Sequence, residues 1–316
     1  PSCAFLIDGA ETVIATFTQT VVTPTPTPTG NECSNWQTAH PSWIWCDDFE
    51  TDKTSSYFES SNNFVRTSGV GKDASYGMKS TFSAGSNDGG SLKLAFGAAP
   101  AGFTRPAGVD TTTKYRDIYY RAYIKTPIGW NVGTSANQSK FARAISFSSS
   151  DWSQAMVSHL WSDGITNTYL LMDPVSCVSG STANCVGYND FSHMQWLGNK
   201  KGITPLFSSS NNGSWQCIES HVKLNDAGIA NGVEEFWING NLEARTTNLN
   251  YVGSYSAYGI NAIFFENYMN NGSPATQSRY WDNIVVSTEP IGCNGPTSPT
   301  VDTASPSIPT GVTATA

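Results

Sequence analysis

The stretch from residue 215 to residue 286 constrains the fold most, because apolar segments follow one another there with tight turns between them. These segments cover residues 215–224, 232–238, 258–268 and 279–286, and the turn pair Asn239-Gly240 closes the second. The first segment alternates with a period of two, as a strand with two different faces does. One face carries Ile218, Ser220, Val222 and Leu224, and the other carries Glu219, His221 and Lys223. The pattern predicts strands with one face on a core and the other toward water or a ligand.

Segments of the same kind recur through the preceding part of the chain. They cover residues 43–50, 77–82, 91–96, 117–125, 140–147, 154–161 and 167–172, with turn residues between them. No convincing helical period extends beyond two turns. Short strands at this spacing predict an all-β protein, a sandwich or jelly roll.

The composition narrows the class of protein. Only 13% of the 316 residues are charged, and the net charge is −8. A negative chain lacks the basic surface that phosphates require, so we expect no nucleic-acid partner. No apolar run of about 18 residues occurs, so we expect no membrane span. Aromatic residues reach 12%, and this surplus either packs the core and hairpins or forms a surface on which sugar rings stack.

The cysteines indicate an oxidising compartment and a secreted or cell-surface location. The seven are Cys3, Cys33, Cys46, Cys177, Cys185, Cys217 and Cys293, and none forms a CxxC pair that would suggest zinc or redox chemistry. Cys177 and Cys185 enclose a short polar loop, and we expect them to pair. The four at positions 33, 46, 217 and 293 allow three pairings, which the sequence does not decide. Cys3 is left over, and we expect its partner upstream.

Both ends of the chain differ from its middle. The Thr-Pro repeat within residues 23–31 predicts an extended linker, because proline fixes φ and lacks an N–H. Residues 1–22 resemble the end of a β-rich repeat of secreted bacterial proteins, and residues 305–315 resemble the first strand of a fibronectin type III domain. We therefore expect one main domain at residues 32–294, a linker and that first strand at 295–316, and neighbouring domains in a longer chain.

The block that begins at Trp215 resembles a known family. Residues 215–219, 222–225, 231–240 and 280–284 are similar to the concanavalin-like jelly roll of secreted polysaccharide lyases of the alginate and glucuronan type. The resemblance implies a concanavalin-like β-jelly-roll sandwich that cleaves an extracellular polysaccharide by β-elimination. The same strand pattern occurs in lectin-like domains, so a non-catalytic carbohydrate-binding or adhesive module stays open, as does a purely structural β-domain.

β-Elimination requires a base and a group that neutralises the uronate carboxylate. In the related lyases such residues line the concave sheet. The catalytic candidates here are His159, Tyr169, Arg121 and Lys140, and the substrate-binding candidates are Tyr123, Arg143, Trp161, Glu266 and Tyr268. His159 alternates with Val157 and Trp161, which places a base beside an aromatic ring; the alternative is a histidine that simply packs in the sandwich.

One departure from the family concerns Glu266. An alginate-lyase type carries a Tyr-Phe-Lys strand near the end of its domain, whereas this chain has Phe264-Phe-Glu-Asn-Tyr268. A carboxylate at that position repels a uronate. The departure indicates a less acidic substrate, another role for Glu266, or no catalysis.

Acidic residues on the first and last predicted strands suggest a structural Ca²⁺ site. Asp48 and Glu50 lie on the first strand and Asp282 on the last, and the ends of a jelly roll are often neighbours. The alternative is that these acids cap turns or pair with lysine and arginine. We expect no organic cofactor, because the sequence has neither a P-loop nor a dinucleotide-binding fingerprint.

Overall fold

Strands make up almost all of the regular structure. The computed structural model describes residues 31–61, 63–72 and 74–293. Its helices are a single α-helix, α1 (Trp36–Ala39), and the 3₁₀ turns Thr54–Ser56 and Ser135–Asn137. No helix in these ranges is long and apolar enough to cross a bilayer. The repeat-like residues 1–22, the Thr-Pro repeat and the fibronectin-like strand lie outside the described residues.

Most strands, numbered in chain order, pair into two antiparallel sheets. Sheet 1 has the spatial order β16 (Asn241–Leu249), β15 (Gly232–Ile238), β14 (Gln216–Lys223), β6 (Asp117–Lys125), β18 (Gln277–Ser287), β4 (Tyr76–Phe82) and β3 (Phe64–Ser68), and β1 (Trp43–Asp47) also pairs with β18. Sheet 2 has the order β12 (Gln195–Trp196), β9 (Leu170–Ser176), β8 (Gln154–Ser162), β7 (Ser139–Phe147), β17 (Ala262–Met269), β5 (Asp88–Ala95) and β2 (Glu59–Ser60), and β13 (Lys200–Lys201) also pairs with β9. The short strands β10 (Val178–Ser179) and β11 (Thr182–Ala183) form a separate hairpin.

Aromatic side chains from both sheets meet between them. Trp281 of β18 stacks on Phe141 of β7 with ring centroids 4.5 Å apart. Tyr120 of β6 contacts Phe265 of β17 edge-on at 6.4 Å. All four rings are buried, so the two sheets close over one shared core. The predicted all-β jelly-roll sandwich is confirmed.

A polar contact crosses this core beneath β8. The Glu234 carboxyl group of β15 accepts hydrogen bonds from Ser158 Oγ at 2.7 Å and from Tyr251 Oη at 2.5 Å. Burial raises the pKa of Glu234 to about 8, despite these two hydrogen bonds. Because Ser158 directly precedes His159, the contact links sheet 1 to the strand segment that carries His159.

A buried arginine fixes the backbone of β7 and β17 from inside. The Arg279 guanidinium donates to the carbonyl oxygens of Lys140 at 3.0 Å and Glu266 at 2.7 Å, and to Asn267 Oδ1 at 2.8 Å. Burial lowers the pKa of Arg279 to about 9. The side chain therefore holds in place two backbone positions whose side chains point away from the core.

Three disulfides join the described residues: Cys33–Cys46, Cys177–Cys185 and Cys217–Cys293. The expected Cys177–Cys185 pair is confirmed, and the structure selects one of the three open pairings for the other four cysteines. The Cys217–Cys293 disulfide holds the last described residues against the outer face of sheet 1.

Residues near both ends of the described chain meet at one side chain. Arg121 of β6 pairs with Glu32 at 2.6 Å and donates to the carbonyl oxygen of Gly292 at 3.0 Å. Glu219 also accepts the backbone N–H of Gly292 at 2.9 Å. Both ends of the described chain are therefore anchored on the outer face of sheet 1.

Candidate functional site

One transverse row of side chains crosses the outer face of sheet 2. Cross-strand pairing places Asp173 opposite His159, and His159 opposite Arg143. Arg143 lies opposite Phe264, Phe264 opposite Lys93, and Lys93 opposite Glu59. Directly paired residues point to the same face of a sheet. We call this set the His159 row: Glu59, Lys93, Phe264, Arg143, His159 and Asp173.

The rows on the two sides of the His159 row differ. On one side the side chains are apolar and packed under Phe103 and Met194. Their members are Ala95, Ala262, Ile145, Val157 and Val175. On the other side lie Trp161, Lys140 and Tyr268, which are partly exposed. The His159 row is therefore the boundary between a covered apolar zone and an accessible polar zone.

His159 is held in one tautomer. Its Nδ1 lies 3.1 Å from the carbonyl oxygen of Asp173, which can only accept, so Nδ1 carries the proton of the neutral ring. Burial, and then the charge of Arg143, lowers the pKa of His159 well below its usual range. Nε2 has no hydrogen-bond partner among the described residues. The ring is therefore neutral with a free lone pair on Nε2, which is the form that a general base requires.

The His159 ring belongs to an aromatic stack. Trp161 lies 4.5 Å from it with an interplanar angle of 13°, and Trp196 of β12 lies 5.6 Å from it at 24°. Trp196 is 44% exposed. The indole N–H of Trp161 is buried and has no acceptor among the described residues. An exposed ring beside an unpaired donor is a surface on which a ligand with both apolar and polar groups can bind.

Arg143 and Glu266 neutralise each other beside His159. Arg143 Nε lies 2.7 Å from Glu266 Oε2, and Nη2 lies 2.5 Å from Oε1. Although burial opposes ionisation of both groups, their pairing raises the pKa of Arg143 and lowers that of Glu266. Both are charged and form a two-pronged ion pair. Arg143 therefore compensates the negative charge of Glu266.

Two side chains near this ion pair, Tyr188 and Lys140, keep polar atoms that are available to a ligand. The Tyr188 oxygen accepts a hydrogen bond from Arg143 Nη2, which leaves its own O–H as a donor. Burial, and then the charge of Glu266, raises the pKa of Tyr188 to about 12, so the phenol is protonated. Lys140 Nζ lies 4.7 Å from the Tyr268 ring, and no carboxylate of the described residues lies within 4 Å of it.

An open depression of about 370 Å³ lies at the Lys93 end of the row. It is lined by Glu59, Lys93, Asp151, Trp152 and Tyr188. Lys93 pairs with Glu59, and its Nζ lies 5.0 Å from the Trp152 ring. Because Tyr188 lines the depression and also contacts Arg143, the depression adjoins the His159 row.

The structure brings together six of the nine predicted site residues. On the outer face of sheet 2 lie His159, Lys140, Arg143, Trp161, Glu266 and Tyr268. Tyr169 precedes β9 and contacts Lys201, whose Nζ lies 4.5 Å from its ring. Arg121 and Tyr123 lie on β6 of sheet 1, where Arg121 is fully buried between Glu32 and Gly292. These last two residues are therefore not on the face that carries His159.

The three acidic residues of the predicted calcium site make backbone contacts. Asp282 accepts the N–H of Lys72 at 2.6 Å, Asp48 that of Cys33 at 3.0 Å, and Glu50 that of Tyr76 at 3.0 Å. Burial, with a smaller contribution from Asp48 and Glu50, raises the pKa of Asp282 to about 7. No three metal-ligating side chains of the described ranges lie close enough to hold an ion together. The calcium site stays a prediction.

Sequence reasoning missed Lys93, Tyr188 and Trp196. Lys93 stands between Leu92 and Leu94 in a buried strand, and a single charge in such a strand signals a paired or functional group. Tyr188 lies on a loop next to the Cys177–Cys185 disulfide, with no sequence signal that ties it to Arg143, 45 residues away. Trp196 lies on a strand of two residues, which is too short to predict.

Comparisons with known proteins bear on the fold alone. No protein-family model matches the sequence, and no curated protein does. An alginate lyase from a Chlorella virus has a similar structure, with a TM-score of 0.51 and 15% identity over 81% of this chain and 97% of that one. An endo-β-1,4-glucuronan lyase from the fungus Trichoderma reesei gives a TM-score of 0.47 at 13% identity, over 78% of this chain and 91% of that one. A PL-14 alginate lyase from Aplysia kurodai gives a TM-score of 0.48 at 12% identity, over 78% of this chain and 100% of that one. The chain shares the fold of the viral lyase.

Proposed function

We propose that this protein is a secreted carbohydrate-active module that binds an extracellular polysaccharide on the outer face of sheet 2 and cleaves it by β-elimination. The observation that carries the proposal is the neutral His159, which has an unprotonated Nε2, lies opposite Arg143 and stacks on Trp161. The fold shared with an alginate lyase supports it, and three disulfides fit an extracellular location.

His159 is the proposed base. In β-elimination the base takes the proton from the carbon beside the uronate carboxyl group, and the bond from the next carbon to the glycosidic oxygen breaks. Nε2 is unprotonated because burial and Arg143 disfavour the imidazolium. The proton becomes acidic enough for such a base only when the neighbouring carboxylate is neutralised.

Lys140 is proposed to neutralise that carboxylate. Arg143 already faces Glu266, and Lys93 already faces Glu59, whereas Lys140 has no carboxylate partner in the described ranges. Lys140 lies opposite Trp161, beside the aromatic stack of His159. A uronate carboxylate at Lys140 would therefore lie on the same face of sheet 2 as the base, in the neighbouring row of side chains.

Tyr188 is the proposed acid. Its phenol is protonated, and its O–H is free because the oxygen accepts from Arg143. Donation of this proton to the leaving glycosidic oxygen completes the cleavage, and Arg143 stabilises the phenolate that remains. Solvent then returns a proton to Tyr188 and removes one from His159.

A non-catalytic carbohydrate-binding module is the second candidate. It is favoured by the neutralisation of Arg143 by Glu266 and by the burial of His159, which is only 3% exposed. A polymer lying on this face would then contact Trp196 and Tyr188 without reaching the base. Such a module binds the polysaccharide and releases no product.

An ultraviolet assay separates the two candidates. The protein is incubated with polymannuronate, polyguluronate and glucuronan, and the absorbance of the unsaturated product is followed. We expect a rise with the wild-type protein and a rate at least about 100-fold lower for His159→Gln at an unchanged melting temperature. The matched control is His193→Gln, because that exposed ring pairs with Asp190 outside the row.

The results of this assay decide between a lyase and a non-catalytic binding module. Absence of product on every polymer, together with slowed migration in gels that contain the polymer, would replace the lyase by the binding module. A wild-type rate in His159→Gln would remove His159 from the mechanism.

A further inference from the structure

A strip of alternating lysines and aromatic rings crosses the outer face of sheet 1. Cross-strand pairing places Lys79 of β4 opposite Tyr280 of β18, and Tyr280 opposite Lys125 of β6. Lys125 Nζ lies 5.4 Å from the Tyr280 ring and 4.8 Å from the ring of Trp215, which directly precedes β14. We call Lys79, Tyr280, Lys125 and Trp215 the lysine–aromatic strip.

The strip faces outward and is accessible. The chain neighbours of its strand residues, such as Met78, Trp281 and Ile124, point into the core and are buried. All four members of the strip are partly exposed. They span four adjacent strands, which corresponds to ~14 Å, the length of a short oligosaccharide. Beyond Lys79 the row continues to Val65, which is 50% exposed.

The lysines of the strip are not neutralised by the part of the protein that the structure describes. The ion pairs found there involve other residues, so no described carboxylate lies within 4 Å of the Lys79 or Lys125 ammonium group. The chain as a whole carries a net charge of −8. Lys125, an unpaired cation between two aromatic rings, and Lys79, a second unpaired cation across Tyr280, lie on a protein of negative net charge, which indicates an anionic ligand from outside.

We propose that the lysine–aromatic strip is a second binding surface, separate from the His159 row, for a polyuronate chain. The rings of Trp215 and Tyr280 can stack on the apolar faces of sugars, and the two ammonium groups can meet their carboxylates. The alternation of ring and cation fits a polymer that carries both an apolar face and a carboxylate in each unit. A neutral polysaccharide would leave the lysines without a partner.

This inference goes beyond the proposed function, because binding to sheet 1 requires no chemistry at His159. The two surfaces lie on opposite faces of the sandwich. A chain held on the strip stays near the protein while another segment, or another chain, occupies the His159 row. The strip would therefore raise the affinity for polymers long enough to contact both surfaces more than the affinity for short oligosaccharides.

Binding to a non-cleaving protein tests the proposal. In a His159→Gln background, the double variant Lys79→Gln/Lys125→Gln is compared with Lys114→Gln/Lys223→Gln by calorimetric titration with polymannuronate at low salt. The control pair removes the same charge at the opposite end of sheet 1. We expect roughly tenfold weaker binding for the strip variant and less than twofold weaker binding for the control.

A second variant addresses the rings. Trp215→Ala is expected to weaken binding roughly fivefold at both low and high salt, because stacking is less sensitive to salt than charge is. Melting curves check that each variant is folded. Unchanged affinity in both strip variants, an equal loss in the control pair, or strip-dependent binding of a single-stranded oligonucleotide instead of the polyuronate would overturn the proposal. Absence of lyase activity leaves this test intact, because it measures binding alone.

Discussion

Replacement of Glu234 by glutamine tests how the two sheets are joined beneath His159. Glu234 lies in the core, where it accepts hydrogen bonds from Ser158 and Tyr251, and burial raises its pKa from 4.5 to about 8. Between pH 4.5 and pH 8 the folded protein therefore retains a proton that the unfolded chain has lost. The free energy of unfolding falls as the pH rises through this window and levels off above pH 8.

The size of the effect follows from the two pKa values. Each pKa unit corresponds to about 1.4 kcal/mol, so the loss between pH 4.5 and pH 8 reaches at most ~5 kcal/mol. Glutamine stays neutral throughout, its carbonyl accepts from Ser158, and its amide donates to the oxygen of Tyr251. We expect Glu234→Gln to equal the wild type near pH 4.5 and to exceed its stability by up to ~5 kcal/mol at pH 8.

Urea unfolding at several pH values between 4.5 and 8.5, followed by tryptophan fluorescence with the disulfides intact, measures this difference. Other titrating groups contribute to both proteins and cancel when one curve is subtracted from the other. Glu289→Gln is the matched control, because that carboxyl group is exposed and lies outside the core. Parallel profiles for Glu234→Gln and the wild type would refute the reasoning, because they would mean that Glu234 is ionised in the core.

Loss of a partner in the buried polar contacts is expected to destabilise the protein in the same urea assay. Glu266→Ala leaves Arg143 as an unpaired buried cation and should lower the free energy of unfolding by about 3–5 kcal/mol; a wild-type midpoint would contradict this. Arg279→Met leaves the carbonyl oxygens of Lys140 and Glu266 without their donor and should lower the free energy of unfolding by about 3 kcal/mol. Arg279→Lys should lower it by less. Equal urea midpoints for the wild type and both variants would argue against this role of Arg279. For the predicted calcium site, a chelator should lower the melting temperature of the wild type and not that of Asp282→Asn, whereas identical wild-type melts would count against the ion.

Strict alternation made much of the fold predictable. The predicted strands at 117–125 and 232–238 coincide with β6 and β15, and Asn239 and Gly240 have the positive φ values of 52° and 82° that a tight hairpin turn requires. The predicted strand at 167–172 instead begins at Leu170. The Asp163 carboxylate accepts the N–H groups of residues 165–167 and holds them in a turn. β16 was missed because its edge sequence is mostly polar and its alternation ends after Leu242 and Ala244.

The site was predictable only within a strand. Alternation correctly placed His159 and Trp161 on one face, because that relation depends on neighbours along the chain. Which strands share a sheet is a non-local property, and Arg121 was grouped with His159 although it lies on the other sheet. The contact between Tyr188 and Arg143 depends on how a loop folds over the sheet, which no local pattern encodes.

Arg121 anchors both ends of the described part of the chain on the outer face of sheet 1, and this makes the two outer faces of the sandwich physically distinct. Glu32 and Gly292 contact the same guanidinium, on the sheet opposite the His159 row. A solid support attached beside either residue would turn the row toward the solution and the lysine–aromatic strip toward the support. Oriented immobilisation therefore offers a physical means of exposing one surface while shielding the other, without changing a single residue of either.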